Sequence, residues 1–165
     1  PHNVFGERQN IGDPYRNVIG IWMNMMMRGL RPIIYGDGSQ RRAFSYIDNV
    51  TPCMMKCLAV EPNQIFNLGG EKDISINQMY EIVKVAMNCG LEPLYMPERP
   101  GEVHIAYCTN DKARDQLGYR DNWSVDAGVM KMAEWAIKTG PQRPTYRLPL
   151  EIEKNAPKTW RERLI

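Results

Sequence analysis

The clearest indication of architecture lies in residues 34–48, which read Ile34-Tyr35-Gly36-Asp37-Gly38-Ser39-Gln40-Arg41-Arg42-Ala43-Phe44-Ser45-Tyr46-Ile47-Asp48. The apolar run that ends at Tyr35 predicts a short buried strand, and Ala43–Ile47 alternates like a second strand. Turn-forming residues separate the two runs. Asp48 is a suitable N-cap for a helix that continues to about Val60. Strands and a helix in close succession predict an α/β fold with mixed α+β character.

The flanking sequence repeats this alternation. Apolar residues recur at helical spacing after Tyr15, after Ser75 and after Ser124, and Ser75 with Gln78 forms a capping box. Further strands are predicted at Ile65–Leu68 and Leu94–Met96, and a short helix between Asn110 or Asp111 and Gly118. We therefore predict one domain over residues 1–140 and an extended, Pro-rich surface tail over residues 141–165.

Composition excludes several classes of protein. The 165 residues are 43% hydrophobic and carry a net charge of +2, which favours neither nucleic acid nor an anionic membrane as a partner. The sequence contains no apolar run of membrane-spanning length. The four cysteines have neither a signal peptide before them nor zinc-ligand spacing, so we expect buried thiols, no metal and a cytoplasmic protein.

Two motifs resemble catalytic or cofactor-binding signatures. Tyr80 and Lys84 match the Tyr-x-x-x-Lys pattern, and one helical face could place the ammonium near the phenol. Their position inside an ordinary amphipathic helix favours a chance match. Gly36-Asp37-Gly38 lies between two predicted strands and opens no helix, so a turn is favoured over a dinucleotide-binding loop.

Five colinear segments resemble the C-terminal half of extended short-chain dehydrogenases that act on nucleotide sugars, most closely UDP-glucose 4-epimerases. The segments are His2–Gln9, Ile34–Asp48, Phe66–Gly70, Arg99–Glu102 and Asn110–Tyr119. The resemblance covers residues 2 to about 137. It departs at Ala43 and Asn49, where the family commonly has acidic residues.

The resemblance implies substrate-binding roles. Arg42 and Arg99 correspond to the arginines that hold the pyrophosphate, Asn3 to a contact of the sugar phosphate, and Glu102 to an acid near the ribose. The remaining implied substrate contacts are Asn17, Val18, Ile33, Tyr35 and Tyr107, and the backbone of Pro1 and His2 would lie near the nicotinamide of NAD. Two arginines and a helix N-terminus suit a pyrophosphate.

The resemblance also implies a division of labour. The family's glycine-rich fingerprint and catalytic tyrosine and lysine precede the segment that His2–Gln9 resembles. We therefore expect the substrate-binding portion of an NAD-dependent nucleotide-sugar epimerase, with a UDP-sugar or related ligand and a missing N-terminal Rossmann half as partners. No catalytic residue is expected here. Without the N-terminal half, the chain would expose an apolar surface, so we expect it to self-associate.

Three alternatives remain. The chain could be the same portion of a nucleotide-sugar 4,6-dehydratase or decarboxylase, since the nucleotide-binding residues would be similar. It could be a stand-alone module that binds nucleotides or proteins without catalysis. A complete small reductase that uses Tyr80 and Lys84 would require that the chain itself binds NAD.

Overall fold

The computed structural model describes residues 1–146 and 154–165, and in them short strands alternate with helices, as predicted. The strands are β1 (Val4–Phe5), β2 (Ile33–Tyr35), β3 (Arg41–Ala43), β4 (Ser45–Tyr46), β5 (Asp73–Ser75), β6 (Leu94–Met96) and β7 (Ile105–Ala106). The helices are α1 (Val18–Met27), α2 (Ile47–Lys56), α3 (Ile76–Ala86), α4 (Asp111–Leu117), α5 (Val125–Thr139) and α6 (Lys158–Arg161), with a 3₁₀ turn at Cys57–Ala59. The mixed α/β class is confirmed.

Local sequence signals set several helix ends. The predicted capping box at α3 is present, because the Ser75 side chain accepts from the Gln78 backbone while the Gln78 side chain accepts from that of Ser75. The Ser124 hydroxyl likewise caps α5. Gly118 ends α4 in the left-handed conformation, at φ 64°, which costs glycine little.

The strands form three small sheets among the described residues. β1 pairs parallel with β4, and β2 pairs parallel with β6 in the register Ile33 to Leu94. β3 is the central strand of the third sheet, with β5 antiparallel on one side and β7 parallel on the other. This sheet holds Arg42 between two strands, so the direction of its side chain is fixed by backbone pairing.

Two apolar clusters hold the elements together. The larger lies between α1, α3 and α5 and includes Trp22, Met23 and Met79, each no more than 1% exposed. The methionines Met23, Met25 and Met26 of α1 therefore fill the core. The smaller cluster joins α2 to α4 through Val50, Cys53 and Leu117 and nearby residues.

Several predicted details of local structure are wrong. Tyr46, and not Asp48, is the N-cap of α2, because the helix begins at Ile47 directly after β4. Ile65–Leu68 is irregular, and Ile65 is 81% exposed. An apolar run forms a strand only where a partner strand lies beside it, and in the described part of the chain none pairs with this segment. Cys57 is exposed, whereas Cys53 is buried as expected.

The tail also departs from the prediction in part. Residues 158–161 form the helical turn α6, so this stretch is not extended. Thr159 within it is 1% exposed, although its neighbours Lys158 and Arg161 lie on the surface as expected. Residues 147–153 lie outside the described residues. The boundary at residue 140 stays a prediction. Within the ranges described, no helix has the length and apolar character that crossing a membrane requires.

Candidate functional site

A cavity of about 260 Å³ opens between the start of α1, strands β2 and β3, and the loop that carries Arg99. Eight of the nine predicted substrate-binding residues line it: Asn3, Asn17, Val18, Ile33, Tyr35, Arg42, Arg99 and Glu102. These residues come from five separate stretches of the chain. Their convergence is a finding of the structure, and their individual roles remain predictions.

Two arginines and one carboxylate form the charged centre of the cavity. Arg42 Nη2 lies 2.5 Å from Oε1 of Glu102, and Arg99 Nη2 lies 2.6 Å from Oε2. The side chain of Glu102 is only 4% exposed, while those of Arg42 and Arg99 are 15% and 40% exposed. The group carries a net positive charge, and its fork-shaped donors suit phosphate oxygens. In this state the arginines occupy both oxygens of the carboxylate predicted to lie near a ribose.

Tyr35 connects the charged centre to the rest of the cavity. The Arg99 guanidinium lies over its ring, 5.1 Å from the centroid. Its hydroxyl shares a 2.5 Å hydrogen bond with Oγ1 of Thr159, and its backbone oxygen accepts from Nε2 of Gln40 at 2.8 Å. The Tyr35 side chain is therefore held by Arg99 at the ring and by Thr159 at the hydroxyl, and Gln40 fixes its backbone.

The start of α1 supplies one unpaired polar atom, on the side chain of Asn17. Asn17 is the N-cap of this helix, yet its side chain does not cap the helix; instead, Nδ2 donates to the backbone oxygen of Val4 at 2.6 Å. Its Oδ1 is buried and has no hydrogen-bond partner among the described atoms. Buried polar atoms are normally paired, so an acceptor left open beside a helix N-terminus indicates a place for a ligand.

A second cavity of about 470 Å³ continues the first on the side of His2. Asn3, Arg42, Arg99 and Glu102 line both cavities, so the charged group lies at their junction. Asn3 has a positive φ of 41°, and its Nδ2 donates to the backbone oxygen of Ala43 at 2.8 Å. Together the two cavities form a groove in which a ligand could extend from either side of the arginines.

Three predicted residues lie outside the first cavity. Tyr107 is 64% exposed and is not among the residues that line the first or the second cavity. Pro1 is exposed, and His2 has both backbone groups paired, with its N–H on Leu68 and its oxygen accepting from the Ser45 hydroxyl. The contact of Pro1 and His2 with NAD stays a prediction.

The Tyr-x-x-x-Lys match and the Gly36-Asp37-Gly38 segment both have structural roles. The Tyr80 hydroxyl donates to the backbone oxygen of Leu91, and burial raises the pKa of this phenol even though Lys84 lowers it. Lys84 pairs with Glu92 at 2.7 Å. Gly36 and Gly38 both have positive φ in a turn between β2 and β3, which opens no helix. Within the ranges described, no group of His, Cys, Asp and Glu could hold a metal ion.

Sequence reasoning missed several residues that line the first cavity. Trp22 donates from Nε1 to the backbone oxygen of Ile33 at 2.9 Å, and Gln40 supports Tyr35. Trp22 also belongs to the larger apolar cluster. The C-terminal residues Pro157, Thr159, Trp160 and Ile165 line the cavity as well, and no local motif marks them.

Known proteins resemble this chain in sequence. The NAD dependent epimerase/dehydratase family model matches residues 1–69. A putative UDP-glucose 4-epimerase of Methanocaldococcus jannaschii is 34% identical over 135 residues, which is 81% of this chain and 43% of that protein. The matching relatives include UDP-glucuronic acid decarboxylases as well as 4-epimerases.

Solved structures match over the same share of the chain. The UDP-glucose 4-epimerase of Thermotoga maritima, solved with UDP-glucose, superimposes with a TM-score of 0.77 at 30% identity, covering 84% of this chain and 44% of that one. A UDP-glucuronic acid 4-epimerase of Bacillus cereus, solved with UDP-glucuronic acid and NAD, gives 0.73 at 25% identity, over 84% and 43%. The chain belongs to the NAD-dependent epimerase/dehydratase family of extended short-chain dehydrogenases. It spans less than half the length of these relatives.

Proposed function

We propose that this chain is the sugar-nucleotide-binding portion of an NAD-dependent nucleotide-sugar epimerase of the UDP-glucose 4-epimerase type. The observation that carries the proposal is the convergence of Arg42 and Arg99 on the nearly buried Glu102, at the junction of two cavities. A pyrophosphate bound there would place its nucleoside in one cavity and its sugar in the other. Similarity to proteins solved with UDP-sugars supports this ligand class.

In this proposal the chain holds the substrate by the part that does not react. The binding energy of the nucleotide then positions the sugar for the reaction, and the residues that bind the nucleotide take no part in the chemical step. NAD, when bound, would accept a hydride from the sugar and return it. The described residues offer no glycine-rich strand–turn–helix for that cofactor, so we place its binding and the catalytic tyrosine in an N-terminal half that acts together with this chain.

Calorimetric titration of the chain with UDP, UDP-glucose and NAD tests the proposal. We expect UDP and UDP-glucose to bind, and Arg42→Ala and Arg99→Ala each to weaken binding of both by at least about tenfold, because each removes charge-assisted hydrogen bonds to phosphate. Arg114→Ala is the matched control, since this arginine pairs with Glu71 and Asp111 outside the two cavities. Binding of NAD without UDP would contradict the proposal and favour the reductase alternative.

The residues of the charged centre are equally suited to a dehydratase or a decarboxylase. Decarboxylases among the matching relatives keep this alternative open. Turnover assays on the chain combined with its N-terminal half would distinguish them: an epimerase interconverts two UDP-hexoses, a decarboxylase releases CO₂ from a UDP-uronic acid, and a dehydratase releases water.

A further inference from the structure

The last part of the chain is anchored to the domain by a buried amide. We call residues 142–146 and 154–165 the C-terminal strap. Asn24, 2% exposed on the apolar helix α1, donates from Nδ2 to the backbone oxygen of Gln142 at 3.0 Å and accepts from its N–H at 2.8 Å. A buried amide is costly without partners, and the strap backbone satisfies both of its groups.

The strap is attached at further points on the way to the cavity. The Thr145 N–H donates to the backbone oxygen of Gly12 at 2.9 Å. The Trp160 ring packs edge-on against Tyr15, with 4.9 Å between centroids. Thr159 is 1% exposed and shares its 2.5 Å hydrogen bond with Tyr35. Specific contacts on both sides of residues 147–153 hold the strap against the domain, where it forms part of the cavity wall.

The two cavities differ chemically in the residues that they do not share. The second cavity is lined beyond the arginines by His2, Ala106 and Asn155. The first is lined by Trp22, Ile33, Tyr35 and Thr159. A flat heterocyclic base suits the aromatic and aliphatic lining of the first cavity, and the polar edge of the base then needs hydrogen-bonding groups there. The paired hydroxyls of Tyr35 and Thr159 can each donate and accept.

We propose that Thr159 is a substrate-recognition residue, whose hydroxyl, with that of Tyr35, hydrogen-bonds the nucleoside of the bound sugar nucleotide. This inference rests on the proposed function and extends it, because it assigns a ligand contact to the strap. On binding, the hydrogen bond between the two hydroxyls would be exchanged for hydrogen bonds from each hydroxyl to the ligand.

Titration of the chain with UDP and with inorganic pyrophosphate tests the assignment. Thr159→Val removes the hydroxyl at nearly constant shape, and we expect it to weaken UDP binding about 3- to 10-fold, the value of one hydrogen bond, while pyrophosphate binding is unchanged. Thr159→Ser keeps the hydroxyl and should retain the affinity for UDP. Thr145→Val, at an exposed position of the same strap, is the matched control.

Hydrogen exchange of the unaltered chain gives a second measurement that needs no variant. UDP should slow exchange of the amides in α6, and pyrophosphate should not.

Equal UDP affinity in Thr159→Val and the unaltered chain would overturn the inference and leave the proposed function intact. A parallel loss of pyrophosphate binding would also overturn it, since Thr159 would then act on the arginines. If the unaltered chain bound no UDP, both proposals would fail.

Discussion

Arg42 donates to Glu102 across 2.5 Å, and the carboxylate that accepts this bond is almost completely withdrawn from solvent. The same carboxylate accepts from Nε of Arg99 at 2.7 Å. The Glu102 carboxylate therefore holds the guanidinium groups of Arg42 and Arg99 at a fixed separation. A phosphate-binding pair that is held in place before the ligand arrives avoids part of the entropic cost of binding.

Replacement of Glu102 by glutamine should destabilise the free chain. Arg42 and Arg99 bond different oxygens of Glu102, so in glutamine the NH2 group would face one of the two guanidinium donors. We expect the free energy of unfolding to fall by about 1–3 kcal/mol in urea denaturation. Pyrophosphate should restore more stability to Glu102→Gln than to the unaltered chain, because it supplies the missing negative charge. Glu98→Gln, at a side chain 49% exposed, is the control. Equal stability of Glu102→Gln and the unaltered chain would contradict the spacing role.

The sequence predicted the charged centre because its residues lie in short colinear motifs. Arg42 follows a turn, and Arg99 and Glu102 stand three residues apart in one loop. Neither spacing nor periodicity could show that the carboxylate would bond both arginines, since this depends on the pairing of β3 with β7. The resemblance alone made Tyr107 a substrate contact, and its position, 64% exposed and outside both cavities, adds no support to that role.

The strap could not be predicted for a different reason. Its anchor joins Asn24 to Gln142 across 118 residues, and neither residue belongs to a recognisable motif. Pro-rich, charged sequence is typical of exposed segments, and this composition does not reveal that Thr159 is buried. Contacts between distant parts of the chain, rather than local propensity, decide the position of this segment.

Removal of the Asn24 amide should release the beginning of the strap. In Asn24→Ala the backbone groups of Gln142 lose their partners, so we expect unfolding free energy to fall by about 1–2 kcal/mol and amide exchange of residues 142–146 to accelerate. Urea denaturation and exchange mass spectrometry would measure the two effects. Asn122→Ala, at an exposed position, should change neither. Unaltered exchange in Asn24→Ala would show that the amide is not the anchor.

Asp121 should make the stability of the chain depend on pH. Its carboxylate accepts from Asn49 Nδ2 at 2.6 Å and from the Glu71 backbone at 2.9 Å, but burial dominates and raises its pKa above 3.8. The folded chain thus binds this proton more tightly than the unfolded chain. The resulting stability is present below the unfolded pKa and is lost as pH rises through the folded pKa.

The comparison that isolates this effect is the unfolding free energy of the unaltered chain minus that of Asp121→Asn. This difference should decrease as pH rises from about 3.8, because only the unaltered chain loses the contribution of the proton. Denaturation at a series of pH values measures it. Asp126→Asn, at an exposed position in the first turn of α5, gives the reference slope. A difference that increased with pH would show that hydrogen bonding outweighs burial.

Gly128→Ala should destabilise the chain although alanine favours helices. A Cβ at this position of α5 would lie 2.7 Å from Cδ2 and 2.8 Å from Cγ of Tyr46. That ring cannot move aside freely, since its hydroxyl donates to Glu7 at 2.7 Å and its face packs near Trp123. Overpacking costs about 1–3 kcal/mol against a propensity gain of about 1, so we expect a lower melting temperature. Gly90→Ala meets nothing within 4 Å and should be neutral or slightly stabilising, and equal melting temperatures for the two variants would mean that the Tyr46 ring gives way.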